Sequence, residues 1–296
     1  MTATIIDGVA IAADIKNELK ERVASLAARG IVPGLAAVLV GEDPASQVYV
    51  RSKRRAAKLL GMKSRIHRVP ETTSQSELED LLSSLNEDPS VHGILLQLPL
   101  PKGLDPAAAT DVIALHKDVD CLTSTSHGLL ALGRPRYVPC TPLGVKVLLE
   151  RTGTKVEGAN VVVVGRSNLV GRPLSILLSL KANSANATVT LCHTGTTNLE
   201  DHTRNADILI VAAGTPRGIT GEMIKPGATV IDVGITRDES GVLIGDIDFD
   251  SAVGIAGAIT PVPGGVGPMT VAMLMSNTVQ AASYRAETGR RDPKAR

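Results

Sequence analysis

Tyr49 and Lys53 stand four residues apart in PASQVYVRSKRRAAKLLG (44–61), a stretch whose pattern predicts a helix. That spacing puts a phenol and an amine on one helical face. Arg51, Arg54, Arg55 and Lys58 crowd the same segment, and positive neighbours favour the uncharged form of an amine. An amine that gives and takes protons near neutrality can serve as a general acid/base. The same composition also suits a solvated basic face. Two further segments carry polar groups with a possible purpose. Gln97 interrupts GILLQLPLP (93–101), and an amide at the end of a buried strand needs hydrogen-bond partners. HKDVDC (116–121) sets Asp118 and Asp120 in a loop, where a carboxylate can accept from a ligand's amino group or simply shape a turn. TPVPGGVGPMT (260–270) holds three Pro and three Gly in eleven residues. It predicts a rigid turn whose backbone is open to a ligand.

A second chemistry is written in VVVVGRSNLVGRP (161–173). It reads as a buried strand, a glycine turn at Gly165 and a helix start near Gly171. Such a helix start can hold a pyrophosphate on free backbone N–H groups. The spacing is G-x5-G, so the reading leans on its place between strand and helix. The next strand, NATVTLC (186–192), runs into His193 and Thr194 with no Asp or Glu to accept from a ribose 2′-OH. Arg166 and Ser167 offer a cation and a hydroxyl to a 2′-phosphate, which favours NADP over NAD. A solvated loop arginine is the alternative.

These groups need a scaffold, and the apolar runs predict one. GLAAVLV (34–40), HGILLQLP (92–99), ANVVVVG (159–165), NATVTLC, ADILIVAAG (206–214) and ATVIDVG (228–234) show little polar alternation. Strands buried on both faces read this way, as in parallel sheets covered by helices. Helices are predicted over 9–29 and 44–60, after the Ser74–Glu77 capping box, from Thr141-Pro142 to near Gly153, and over 268–287. ITRDESGVLIGDI (235–247) predicts a hairpin turning at Ser240-Gly241. The fold class is α/β: two α/β domains with mainly parallel sheets, the C-terminal one Rossmann-like. Residues 1–145, completed by the helix 268–287, form one domain and 146–267 the other, with 288–296 a flexible tail.

Composition narrows the functions. The 296 residues carry 31 Lys+Arg against 30 Asp+Glu and only three Tyr and one Phe as aromatics. That balance argues against nucleic acid as a partner. No run suggests a membrane span or a secretory signal. Cys121, Cys140 and Cys192 are too scattered for a disulfide framework or a metal site, and suit a reducing cytoplasm.

Taken together, SQVYVRSK, GILLQLPLP, KDVD, TPLGV, VVVVGRSNLVGRP, VIDVGI and TPVPGGVGPMT resemble the methylenetetrahydrofolate dehydrogenase/methenyltetrahydrofolate cyclohydrolase family, in the expected order and over nearly the whole chain. The resemblance implies an NADP-dependent enzyme with a folate cleft between its two domains, acting on tetrahydrofolate one-carbon derivatives as a homodimer. It implies that Lys53 is central to the cyclohydrolase step, that Tyr49 positions substrate, that Gln97 tunes the lysine and that Asp120 binds the pterin. Leu98, Pro99, Pro263 and Gly264 are assigned beside the folate. Gly165, Arg166, Ser167, Gly171, Thr194 and Ile235 are assigned to the cofactor. Where the family usually has Gly after KDVD, this chain has Cys121, which must strain if that position holds a positive φ. A dehydrogenase without the hydrolytic step and a catalytically silent dinucleotide-binding protein are the competing readings. A hydroxy-acid dehydrogenase would need a catalytic His backed by a carboxylate, a pattern not recognisable among the six His.

Overall fold

The computed structural model describes residues 2–238 and 240–288. The first half of the chain runs β1 (Thr4–Ile5), α1 (Gly8–Ala28), β2 (Gly34–Val40), α2 (Pro44–Leu59), β3 (Lys63–Val69), α3 (Gln75–Glu87), β4 (Gly93–Leu96), α4 (Pro106–Asp111), α5 (Ser124–Ala131) and α6 (Cys140–Arg151). The second half runs β5 (Asn160–Val164), α7 (Gly171–Ser179), β6 (Thr188–Cys192), α8 (Leu199–Thr203), β7 (Ile208–Val211), β8 (Thr229–Asp232), β9 (Thr236–Arg237), β10 (Leu243–Ile244), α9 (Phe249–Ala252), β11 (Ala258–Ile259) and α10 (Val266–Thr288).

Two compact units emerge. One comprises, among the described residues, Asp14–Cys140 and Val271–Thr288. Its sheet has the order β3-β2-β4, with both pairings parallel. All seven residues of β2 are buried, as its unbroken apolar sequence requires when both faces are covered. Ala36, Val38, Ile94 and Leu96 pack with Leu78, Leu82 and Leu85 of α3. Ser74 closes α3 as predicted: its hydroxyl accepts from the Glu77 N–H at 3.3 Å, and the Glu77 carboxylate accepts from the Ser74 N–H at 2.8 Å. An N-cap of this kind is worth about 1 kcal/mol. Gly30 ends α1 with φ 75° and donates to the Ala27 carbonyl at 2.9 Å.

The other unit comprises Met1–Ala13 and Thr141–Thr270. Its sheet has the order β1-β11-β8-β7-β5-β6, parallel at every pairing. Val162, Val164, Leu209, Val211 and Val230 supply much of its core. Residues 1–13, expected in the first domain on the sequence, group with this sheet by their contacts. Thr4 and Ile5 pair with Ala258 and Ile259, so a distant strand claims the N-terminus. The 235–247 hairpin forms by pairing β9 with β10 antiparallel. The proposed tail, from residue 289 on, lies outside the described residues. Among those described, no helix is long and apolar enough to cross a membrane.

Candidate active site

In the first unit, α2 carries the candidate acid/base group. Asp43 caps this helix by accepting from the Ser46 N–H at 2.7 Å, and Pro44 supplies a first-turn residue without a donor to satisfy. Val50, Ala56 and Ala57 face the core, while Arg51, Arg54, Arg55 and Lys58 are exposed. Lys53 is half-buried, and its Nζ donates to Gln97 Oε1 at 3.0 Å. Gln97 continues the ladder one residue beyond β4, its N–H bonding the Val38 carbonyl at 2.9 Å. Its Nε2 donates to the Leu98 carbonyl at 2.7 Å. That bond decides which way the amide points: with the nitrogen engaged, the oxygen must face the amine. Tyr49 sits one turn earlier on the helix and is 39% exposed.

The two aspartates of HKDVDC separate in role. Asp118 is buried and accepts from the Leu122 and Thr123 N–H groups, each at 3.1 Å, and from the Ser126 hydroxyl at 2.6 Å. It organises the turn and has little left for a ligand. Asp120 is half-buried and meets the Cys140 thiol, which also feels the Lys53 charge. Asp120, Cys140 and Lys53 are therefore neighbours. Burial, ahead of the Asp120 carboxylate, holds the Cys140 thiol well above its ordinary range. Cys121 has φ 59° and is 1% exposed. It adopts the left-handed conformation that glycine takes without strain.

In the second unit the site is made by leaving side chains out. Gly165 follows β5 with φ 118°, and a Cβ there would overlap the Ala212 carbonyl. A Cβ at Gly171 would overlap the Gly165 carbonyl. Both positions need glycine, and the turn they form opens onto α7, whose Val170 N-cap makes no side-chain bond. This fits a dinucleotide's pyrophosphate. Arg166 and Ser167 are exposed on that turn, where Ser167 Oγ accepts from the Val170 N–H at 3.1 Å. Val164 pairs with Cys192, so exposed Thr194 follows at the same end of the sheet. Ile235, Pro263 and Gly264 line one pocket of about 460 Å³ together with Gly234 and Asp232. A residue assigned to the cofactor and two assigned to the folate thus share a cavity within one unit.

Residues 6–120 match the family model for the tetrahydrofolate dehydrogenase/cyclohydrolase catalytic domain, and residues 139–286 match that for its NAD(P)-binding domain. This chain belongs to the tetrahydrofolate dehydrogenase/cyclohydrolase family. It is 56% identical over 282 residues to the bifunctional protein FolD of Bordetella avium, covering 95% of this chain and 98% of that one. The crystal structure of the bifunctional FolD dehydrogenase/cyclohydrolase from Campylobacter jejuni superimposes with a TM-score of 0.93 at 46% identity, over 96% of this chain and 99% of that one. The Trypanosoma brucei dehydrogenase-cyclohydrolase, solved with NADP cofactor and inhibitor, gives a TM-score of 0.91 at 42% identity, covering 97% and 99%.

Within this family framework the sequence missed a pair of buried acids. Asp232 is 4% exposed and Asp246 is not exposed at all. Burial raises the Asp232 carboxyl to about 6, the nearby Asp246 adding to it, against three backbone N–H bonds that pull it down. The signal was available: Asp232 interrupts ATVIDVG much as Gln97 interrupts its own apolar run. Cys140, beside Asp120, escaped because buried thiols usually do no more than pack. Among the described residues, no group of three or more His, Cys, Asp or Glu could hold a metal ion.

Proposed function

We propose that this chain oxidises 5,10-methylenetetrahydrofolate with NADP and hydrolyses the 5,10-methenyl product to 10-formyltetrahydrofolate. In the first reaction a hydride leaves the methylene carbon as a flanking nitrogen's lone pair forms the amidinium. NADP, when bound, supplies the hydride acceptor. The chain's task there is orientation. Gly165 and Gly171 leave room for a diphosphate, and Arg166 and Ser167 offer a charge-assisted contact to a 2′-phosphate.

In the second reaction water adds to the amidinium carbon, the carbon–N5 bond breaks and N5 takes a proton. One water is consumed and one proton is released. Lys53 moves these protons, Gln97 fixes its amine, Tyr49 positions the substrate, and Asp120 accepts from the pterin's amino group. The observation that carries this reading is the Lys53–Gln97 bond of 3.0 Å with the amide locked by Leu98. Leu98, Pro99, Pro263 and Gly264 are the residues we read as contacting the folate. Thr194 and Ile235 complete the cofactor set.

The catalytic role belongs to residues 1–145 with the C-terminal helix, and cofactor binding to 146–267. A cytoplasmic homodimer completes the reading. Three buried, unpaired cysteines suit a reducing compartment. The β9–β10 hairpin, with Val242 56% exposed, offers a surface for a second copy. One assay in two parts tests the function: NADP reduction with the methylene folate, and decay of added methenyl folate. Both should proceed. A stable methenyl substrate would reduce the protein to a dehydrogenase, and light scattering at 30.8 kDa would refute the dimer.

A further inference from the structure

We propose that Asp246 is a positioning residue for hydride transfer: together with Asp232 it holds the Gly165 turn and the Ile235–Pro263–Gly264 pocket in one fixed register. The inference rests on the NADP-linked dehydrogenase reading above. Its geometry lies wholly within the unit that contains the six-stranded sheet.

Asp246 Oδ2 accepts from the Ala213 and Gly214 N–H groups at 2.7 and 2.8 Å, closing the turn after β7. The carbonyl of Ala212, at the start of that turn, is the atom against which Gly165 packs. The Asp246 N–H donates to Asp232 Oδ1 at 3.0 Å. The same Asp232 oxygen takes the Gly234 N–H at 2.9 Å, next to Ile235, and Oδ2 takes the Ile247 N–H at 2.9 Å. The Asp232 N–H donates in turn to Thr260 Oγ1 at 2.8 Å, anchoring the start of TPVPGG. Two acids therefore tie the carboxyl ends of β7, β8 and β11, which are adjacent in the sheet. Ligands of parallel sheets bind at such ends.

The arrangement is costly. Two buried carboxyls face a desolvation penalty, and Asp246 Oδ1 is buried with no partner. Loop closure alone needs no second acid. A carboxylate accepts several N–H groups at once and donates none, so it fixes several turns together. Hydride transfer needs such fixity, because misplacement by about 1 Å can cost roughly 100-fold in rate.

The test uses the full chain carrying Asp246→Ala. Ala removes the Oδ2 that the Ala213 and Gly214 N–H groups share, whereas the single oxygen of an Asn keeps both bonds. The chain has no Trp, so the emission of bound NADPH reports its nicotinamide environment without interference. We expect the NADPH Kd to stay within about threefold of wild type, while dehydrogenase kcat falls about 30–100-fold. The isotope effect from a deuterated methylene carbon should rise, and emission at saturation should move toward that of free NADPH. Cyclohydrolase activity on added methenyl folate should fall far less than dehydrogenase activity. Unchanged kcat and emission would overturn the proposal. So would a fall in both activities that tracks the thermal midpoint, as a purely structural role requires. Asp246→Glu keeps the charge while displacing the carboxylate by one methylene, and decides the matter in the same way if Asp246→Ala does not fold. A wild-type chain that binds NADPH yet fails to oxidise the folate would sink the functional reading alone, because the emission difference is read without turnover.

Discussion

The two units build their sites by opposite means. Around Lys53 the working parts are side chains: an amine, an amide turned by its neighbour's carbonyl, and a carboxylate beside a thiol. Around Gly165 the working part is bare backbone, where even one added carbon would overlap a carbonyl. The first kind of site should fail when functional groups are removed, and the second when atoms are added. Each failure should leave the other activity standing.

The largest expected effect comes from removing the amine. Lys53→Met keeps much of the stem's volume and deletes the amine. Cyclohydrolase activity should fall by roughly 10²–10⁴-fold, the usual worth of a positioned acid/base. NADP binding should be intact and dehydrogenase activity much less affected. A folded Lys53→Met protein that hydrolyses methenyl folate at the wild-type rate would end the assignment.

Adding atoms at the other site inverts that pattern. Gly165→Ala must accommodate a Cβ against the Ala212 carbonyl and a side chain at φ 118°, a region that penalises any L-residue by about 1–3 kcal/mol. NADP affinity should drop by about 10–100-fold as the turn moves to relieve the overlap. Decay of added methenyl folate should continue, and titration with NADPH checks the first half of the pattern. Arg166→Ala is gentler. It removes an exposed cation without disturbing the turn, so it should weaken NADP by about 1–3 kcal/mol and leave NAD nearly unchanged. Equal losses for both dinucleotides would show that Arg166 does not meet the 2′-phosphate.

The same contrast decided what could be read from the sequence. Strands buried on both faces announced themselves as unbroken apolar runs, and β2, β5, β7 and β8 lie inside the predicted segments. Gln97 stood out because it breaks an apolar run, whereas the Tyr49–Lys53 pair on a basic helix and the G-x5-G spacing are weak signals that gain weight only from their surroundings. β3 was not: KSRIHRV is a charged edge strand, paired on one side and exposed along much of its length. Charge on an edge discourages pairing with other chains, and the same charge hides the strand from a hydrophobicity reading. β1 and β11 are two-residue strands that find each other across most of the chain, and no local pattern encodes such a pairing. Asp246 escaped for a related reason. Its four backbone and side-chain bonds reach three separate segments, which adjoin only in the folded sheet.

Acidification separates the units once more, with opposite signs. In the first unit His92 Nδ1 accepts from the Gly34 N–H at 3.1 Å and must stay neutral to do so. Burial, then the charges of Arg285 and Lys117, lowers its pKa from 6.5 to about 4. Between those values the unfolded chain binds the proton that the folded chain refuses, so His92's contribution is intact above pH 6.5 and drains away as pH falls toward 4. Asp232 in the second unit runs the other way, raised from 3.8 to about 6. As pH falls through 6 the folded chain takes up a proton while the unfolded carboxyl stays ionised, so acid stabilises that unit down to about pH 4. At 1.36 kcal/mol per pH unit, each group's contribution changes by about 1–2 kcal/mol between pH 6 and 5, in opposite directions. Urea unfolding of His92→Gln and Asp232→Asn, each subtracted from wild type at matched pH, should expose the two slopes. Relative to wild type, His92→Gln should gain stability on acidification and Asp232→Asn should lose it. Difference curves of the same sign would show that one of the two groups titrates in the folded chain as it does when unfolded.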